Sequence, residues 1–104
     1  MLTLEKSNLK TTVSEIITKN IELFNLFNNV YLFGSSLYKS PQESDVDLLL
    51  VYSCPAGLAV KEMRKIREAL GSKLKVPIDL TVLSVEELKT TEFLKKIVKY
   101  LKIK

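Results

Sequence analysis

Apolar residues recur at helical spacing in three stretches of this 104-residue chain. In TTVSEIITKNIELFNLF (11–27) the spacing predicts a helix that opens with a capping box of Thr12 and Glu15. LAVKEMRKIREALGSKL (58–74) predicts an amphipathic helix that Gly71 ends. TEFLKKIVKYLKIK (91–104) predicts a last helical segment. In the second helix, the residues expected to face inward are Val60, Met63, Ile66 and Leu70.

Short apolar runs between these stretches predict three strands, VYLF (30–33), DVDLLLVY (45–52) and VPIDLTVL (76–83). The second run is apolar on both faces after its first three residues, which is typical of a central strand. We expect brief helices to begin at Ser35 or Ser36 and, through a capping box with Glu87, at Ser84. The order α-β-α-β-α-β-α predicts an α/β (α+β) fold around a small sheet, and residues 1–104 suffice for one domain.

Composition narrows the chemistry that the chain can perform. Hydrophobic residues make up 46% and charged residues 27%, as in soluble globular proteins. No apolar stretch approaches a membrane span, the N-terminus lacks a signal peptide's apolar core, and Cys54 has no internal disulfide partner, so we expect a cytoplasmic protein. The chain has no histidine. This excludes a serine or cysteine nucleophile paired with an imidazole base in this chain and argues against structural zinc.

Positive charge is concentrated towards the C-terminus. The net charge is +4, and 12 of the 16 lysines and arginines lie from Lys61 onward. This distribution is compatible with an anionic partner such as a nucleotide or RNA. Solvated faces of two helices explain it equally well.

The aspartates suggest a site. The chain has only three, Asp45, Asp47 and Asp79, and each lies at or inside an apolar strand, where a charge is costly unless it is paired or bound to metal. Asp45 and Asp47 share one strand face, and at roughly 5 Å they repel by about 3 kcal/mol at an effective dielectric near 20. Ile78 and Leu80 occupy one face of the third strand, which leaves Asp79 on the other. If the two strands are neighbours, the three carboxylates converge.

Three convergent carboxylates form an oxygen-only ligand set that suits Mg²⁺ or Mn²⁺, with substrate phosphates completing the coordination. Such a cation offsets the repulsion and stabilises phosphoryl or nucleotidyl transfer. Gly34 permits a tight turn, and a helix start at Ser35 and Ser36, with Lys39 nearby, suits a phosphate. Alone, an Asp-x-Asp is more often a pair of solvated residues at a strand end and a Gly-Ser is usually a turn. Their combination is more specific.

Phe33-Gly34-Ser35, Asp45-Val46-Asp47 and Asp79 together resemble the pattern of the DNA polymerase β-like nucleotidyltransferase superfamily. The resemblance covers roughly residues 10 to 100 and is greatest to the minimal nucleotidyltransferases. It implies a mixed sheet flanked by helices, two divalent ions, and transfer of a nucleoside monophosphate, here AMP from ATP, to an acceptor hydroxyl. By position, Asp45 and Asp47 ligate metal. Asp79 ligates one metal and acts as base or orients the acceptor. Gly34 and Ser35 hold the triphosphate, and Lys39 stands where many minimal members carry an arginine.

The resemblance also implies a partner. Minimal members commonly act as antitoxins to a small helical protein of the HEPN type, either by adding AMP to its tyrosine or by binding it. A non-catalytic antitoxin or regulatory subunit is therefore an alternative, and an RNA-tailing or nucleic-acid-binding domain is a third. In the last segment, apolar residues at helical spacing form a docking surface or pack on the chain's own sheet: Leu94, Ile97, Val98 and Leu101.

Overall fold

The computed structural model of the chain describes residues 13–34, 45–97 and 99–104. The predictions made for Thr12, Ser35, Ser36, Lys39 and Val98 lie outside these ranges.

A four-stranded mixed sheet with the strand order β3-β2-β1-β4 forms the centre of the molecule. Its strands are β1 (Asn29–Phe33), β2 (Val46–Tyr52), β3 (Ile78–Ser84) and β4 (Tyr100–Lys102). β2 pairs with β3 in parallel, whereas β1 pairs antiparallel with both β2 and β4. The expected α/β (α+β) class, with a small mixed sheet flanked by helices, is confirmed.

Helices cover both faces of the sheet. They are α1 (Val13–Lys19), a 3₁₀ turn (Ile21–Phe24), α2 (Ala56–Leu74), α3 (Val85–Thr91) and α4 (Phe93–Ile97). The prediction of one helix over 11–27 is wrong, because α1 ends at Lys19 and a separate 3₁₀ turn follows it. The predicted capping box is present at the start of α3, where Glu87 N–H donates to Ser84 Oγ at 3.1 Å and Ser84 N–H donates to Glu87 Oε1 at 2.8 Å. Across the described ranges, no helix has both the length and the apolar character that crossing a bilayer requires.

The two faces of the sheet carry separate apolar clusters. We call them the α2 face, which packs against α1 and α2, and the α3 face, which packs against α3 and α4. Alternate residues of β2 serve the two faces: Val46, Leu48 and Leu50 belong to the large cluster of the α2 face, and Leu49 and Val51 to the smaller one of the α3 face. β2 is therefore the central, doubly covered strand that its sequence predicted.

Helix α2 corrects two expectations. Gly71 does not end the helix, which continues to Leu74 because the Leu74 side chain is buried in the core. The helix is closed by Lys75, whose left-handed backbone (φ 58°) lets its N–H donate to Gly71 O at 2.8 Å. Val60 does not face inward either: it is 41% exposed, and Ala59 takes the buried position beside it.

The C-terminal segment corrects a third expectation, since the helix predicted for 91–104 ends at Ile97 and is followed by β4. The reason is tertiary: the edge of β1 offers unpaired backbone groups. Val30 O accepts from Ile103 N–H at 2.8 Å, and Val30 N–H donates to Lys104 O at 3.2 Å. Leu101 therefore lies on a strand and is 44% exposed, so it cannot share a helical docking surface with Leu94, which packs on the α3 face.

Replacing Leu50 by alanine tests the importance of the central strand. Leu50 is fully buried, so Leu50→Ala should lower the free energy of unfolding by about 2–5 kcal/mol through lost burial and a new cavity. Leu58→Ala is the matched control, because Leu58 is 47% exposed at the start of α2. Urea unfolding followed by circular dichroism measures both. Equal losses in the two variants would contradict this assignment of the core.

Candidate active site

The parallel register of β2 and β3 places Asp47 directly opposite Asp79. Ile78, Leu80 and Val82 all pack on the α2 face. Because successive side chains alternate along a strand, Asp79 and Asp47 lie together on the α3 face. The condition set by the sequence, that the two strands be neighbours, is thus met, and two of the three aspartates come from adjacent strands.

The surroundings of Asp47 disfavour its charged form. The pKa of Asp47 is raised above its usual value, first by burial, then by the charges of Asp79 and Asp45, and by a side-chain hydrogen bond with Asp79. The negative charge of ionised Asp47 is therefore unfavourable in free energy at this site. A proton or a cation relieves that cost.

Gly34 packs against the same carboxylate. It follows β1 with a φ of 78°, a conformation that L side chains rarely adopt, and a Cβ at this position would lie 2.5 Å from Asp47 Oδ2. The sequence predicted close backbone approach at this glycine but not what would approach it. The structure identifies Asp47 as that neighbour. The left-handed backbone favours glycine at position 34, and an added Cβ would also force the Asp47 carboxylate to shift.

The donor chemistry suits a hard divalent cation, although the three aspartates are not preassembled around one point. No cluster of three His, Cys, Asp or Glu side chains within the described part of the chain is arranged to hold a metal ion. Mg²⁺ usually takes one or two protein carboxylates and completes its octahedron with water and substrate phosphate. The Asp47 and Asp79 pair meets that requirement, and Asp45 lies near enough to raise the pKa of Asp47.

The face of the sheet that carries the carboxylates also carries aromatic side chains that the sequence did not place there. Phe33 lies opposite Asp47 on one side of β1 and opposite Tyr100 on the other, so all three share the α3 face. Only the strand pairing reveals this neighbourhood, because Tyr100 is remote from the motifs and was expected on a helix.

Comparison with protein-family models identifies a family for this chain. A family model described as "Nucleotidyltransferase domain" matches residues 13–104, a span that contains both strands of the carboxylate pair. No match was found among curated proteins or among solved structures.

Removing the charge of Asp47 should stabilise the metal-free protein. Because the pKa of Asp47 is raised in the folded state, ionisation of this group destabilises the fold as the pH rises through that value, and the penalty is absent well below the ordinary value of 3.8. In EDTA, Asp47→Asn should therefore have a higher urea midpoint than the wild type at pH 7, and the gain should vanish below pH 3.8. Glu68→Gln, an exposed site on α2, is the control for general charge removal. An unchanged or lower urea midpoint at pH 7 would contradict the conclusion that the charge of Asp47 destabilises the fold.

Adding a methyl group to Gly34 should disturb the same site. Gly34→Ala is expected to cost about 1–2 kcal/mol for the left-handed backbone alone, and its Cβ must also displace the Asp47 carboxylate. Gly71→Ala is the matched control. It lies inside α2 with no atom within 4 Å of the added Cβ, so it should stabilise by about 0.5–1 kcal/mol. Thermal unfolding of the two variants should shift in opposite directions, and a shift in the same direction would refute the argument.

Proposed function

Because this chain belongs to the nucleotidyltransferase domain family, we propose that it transfers a nucleoside monophosphate, AMP from ATP, to an acceptor hydroxyl. The observation that carries this proposal is the in-register pair of Asp47 and Asp79, with Asp45 close to it. All three lie inside the span that matches the family. Membership supports nucleotidyl transfer in general, while the nucleotide, the acceptor and the residue roles are our assignments.

In the proposed reaction the acceptor oxygen attacks the α-phosphorus of ATP. The bond between the α-phosphorus and the oxygen bridging to the β-phosphate breaks, and pyrophosphate leaves. We assign to Asp79 the task of orienting the acceptor hydroxyl and taking its proton, because it is the exposed member of the pair. Gly34, which lies against Asp47, is assigned to the triphosphate with Ser35, Ser36 and Lys39.

Asp45, Asp47 and Asp79 would hold one or two Mg²⁺ or Mn²⁺ ions. When bound, these ions neutralise charge that develops on the phosphates in the transition state. Three features support this assignment: the donors are all oxygen, Asp47 and Asp79 lie opposite each other on adjacent strands, and burial and the neighbouring carboxylates raise the pKa of Asp47.

We further propose that the acceptor is a tyrosine of a small helical partner of the HEPN type, which this chain neutralises as an antitoxin in the cytoplasm. This assignment rests on the sequence resemblance to minimal nucleotidyltransferases. It is compatible with the exposure of Asp79, which leaves the carboxylate pair open to a second macromolecule. Neutralisation by binding alone is the competing function, and a labelling experiment distinguishes it from transfer of AMP.

Transfer of label from [α-³²P]ATP to a coexpressed HEPN-type protein tests the proposal. With Mg²⁺ present, Asp47→Asn and Asp79→Asn should each reduce labelling on the order of 10³-fold, since several kcal/mol of transition-state stabilisation is lost. Glu68→Gln should label normally.

Each possible result has a distinct meaning. Undiminished transfer in the two folded aspartate variants would refute the catalytic assignment. If the wild type transfers no label but still neutralises the partner, as the variants do, then it acts by binding. If the variants bind the partner normally yet fail to neutralise it, binding alone is excluded.

A further inference from the structure

Partly exposed aromatic side chains are not spread evenly over this molecule. Phe24 and Phe27 are fully buried in the cluster of the α2 face, and Tyr31 is 7% exposed. Among the described residues, four aromatic side chains remain partly or largely exposed: Phe33, Tyr52, Phe93 and Tyr100. Tyr52 belongs to the α2 face at the far end of β2. The other three lie on the α3 face, which also carries the carboxylate pair.

Strand pairing fixes the position of these rings relative to the carboxylates. Tyr100 is opposite Phe33, Phe33 is opposite Asp47, and Asp47 is opposite Asp79. The four residues form one row across the sheet, and directly paired residues point to the same face. Neighbouring strands lie about 4.8 Å apart, so the backbone of Tyr100 is about 10 Å from that of Asp47. A nucleotide whose phosphates lie at Asp47 therefore has its ribose and base within reach of the aromatic end of the row.

Each of the three rings packs against another aromatic ring. Tyr100 packs edge to face against buried Tyr31, with ring centroids 5.3 Å apart and an interplanar angle of 89°. Phe93 packs against Phe33 in the same manner at 5.7 Å and 79°. Tyr100 nevertheless remains 43% exposed. Because Tyr31 already restrains this partly exposed side chain, contact with a planar ligand costs little further conformational freedom.

We infer that the exposed ring of Tyr100, bordered by Phe33 and Phe93, is a stacking site for the base of the bound nucleotide. The inference rests on the proposed function, because it takes the carboxylate end of the row as the phosphate site. It adds a subsite for a heteroaromatic ring. Stacking on an aromatic side chain is tolerant of base identity, so this contact contributes affinity for any nucleoside triphosphate.

Binding of Mg²⁺-ATP and of Mg²⁺-tripolyphosphate, measured by titration calorimetry, tests this subsite without any acceptor. Tripolyphosphate carries the phosphates but neither base nor ribose. Tyr100→Ala should weaken ATP binding roughly tenfold or more and leave tripolyphosphate binding unchanged. Tyr100→Phe keeps the ring and should bind ATP like the wild type, whereas Tyr100→Leu keeps the apolar contact with Tyr31 and should lose affinity as the alanine variant does.

Leu101→Ala is the matched control. Leu101 is 44% exposed, as open as Tyr100, but it lies opposite Leu32 and therefore on the other face of β4. This variant should bind both ligands normally. Thermal unfolding of all four variants establishes that each is folded at the temperature of the titration.

The outcomes separate the subsite from the proposed function. If the wild type binds ATP and Tyr100→Leu binds it equally well, the stacking site is wrong and the proposed function stands. A variant that loses ATP and tripolyphosphate to the same extent also overturns the stacking site, because Tyr100 would then act only on the phosphate end. If the wild type binds neither ligand, the proposed function fails, and the subsite fails with it.

Discussion

The parallel pairing of β2 with β3 is the constraint on which this molecule depends. It joins the two strands that carry Asp47 and Asp79 and sets their register, so that two aspartates far apart in the sequence lie directly opposite each other. The same pairing buries β2 on both faces, because β3 and β1 flank it and the helices cover it above and below. An apolar strand that belongs at the centre of a sheet thus brings an ionisable group into a partly desolvated position.

The fold accommodates Asp47 because the two ends of β2 have different surroundings on the α3 face. Asp47 is opposite Phe33 and Asp79, at the end of the sheet where β2 and β3 begin, and its carboxyl group is only partly buried. Towards the other end of β2, Leu49 and Val51 continue the same face as a closed apolar cluster. The strand therefore changes from core to site within a few residues. The elevated pKa of Asp47 reflects the remaining electrostatic cost.

This arrangement also explains the separate parts played by the two helical layers. α1 and α2 pack on the large cluster and leave the carboxylates on the opposite face. α3 and α4 are short, and they return the chain across the α3 face to β4, which brings Phe93 and Tyr100 to the row that contains the aspartates. The larger layer supports the sheet, while the smaller one borders the site. The large apolar cluster and the aspartates thus lie on opposite faces of the described four-stranded sheet.

The sequence by itself determined the local features. Apolar spacing predicted three of the four described strands and most helices. The Ser84 and Glu87 pair predicted a helix start, and the alternation around Asp79 predicted its face, since each depends on neighbours a few residues away. It also marked Asp47 and Gly34 as candidates. Tertiary structure alone decided that Asp79 pairs with Asp47, that the methyl position of Gly34 meets the Asp47 carboxylate, and that residues 100–102 form a strand. Helical spacing in the last segment was outweighed by the hydrogen bonds offered at the edge of β1, because strand pairing depends on partners some 70 residues apart, which no local pattern encodes.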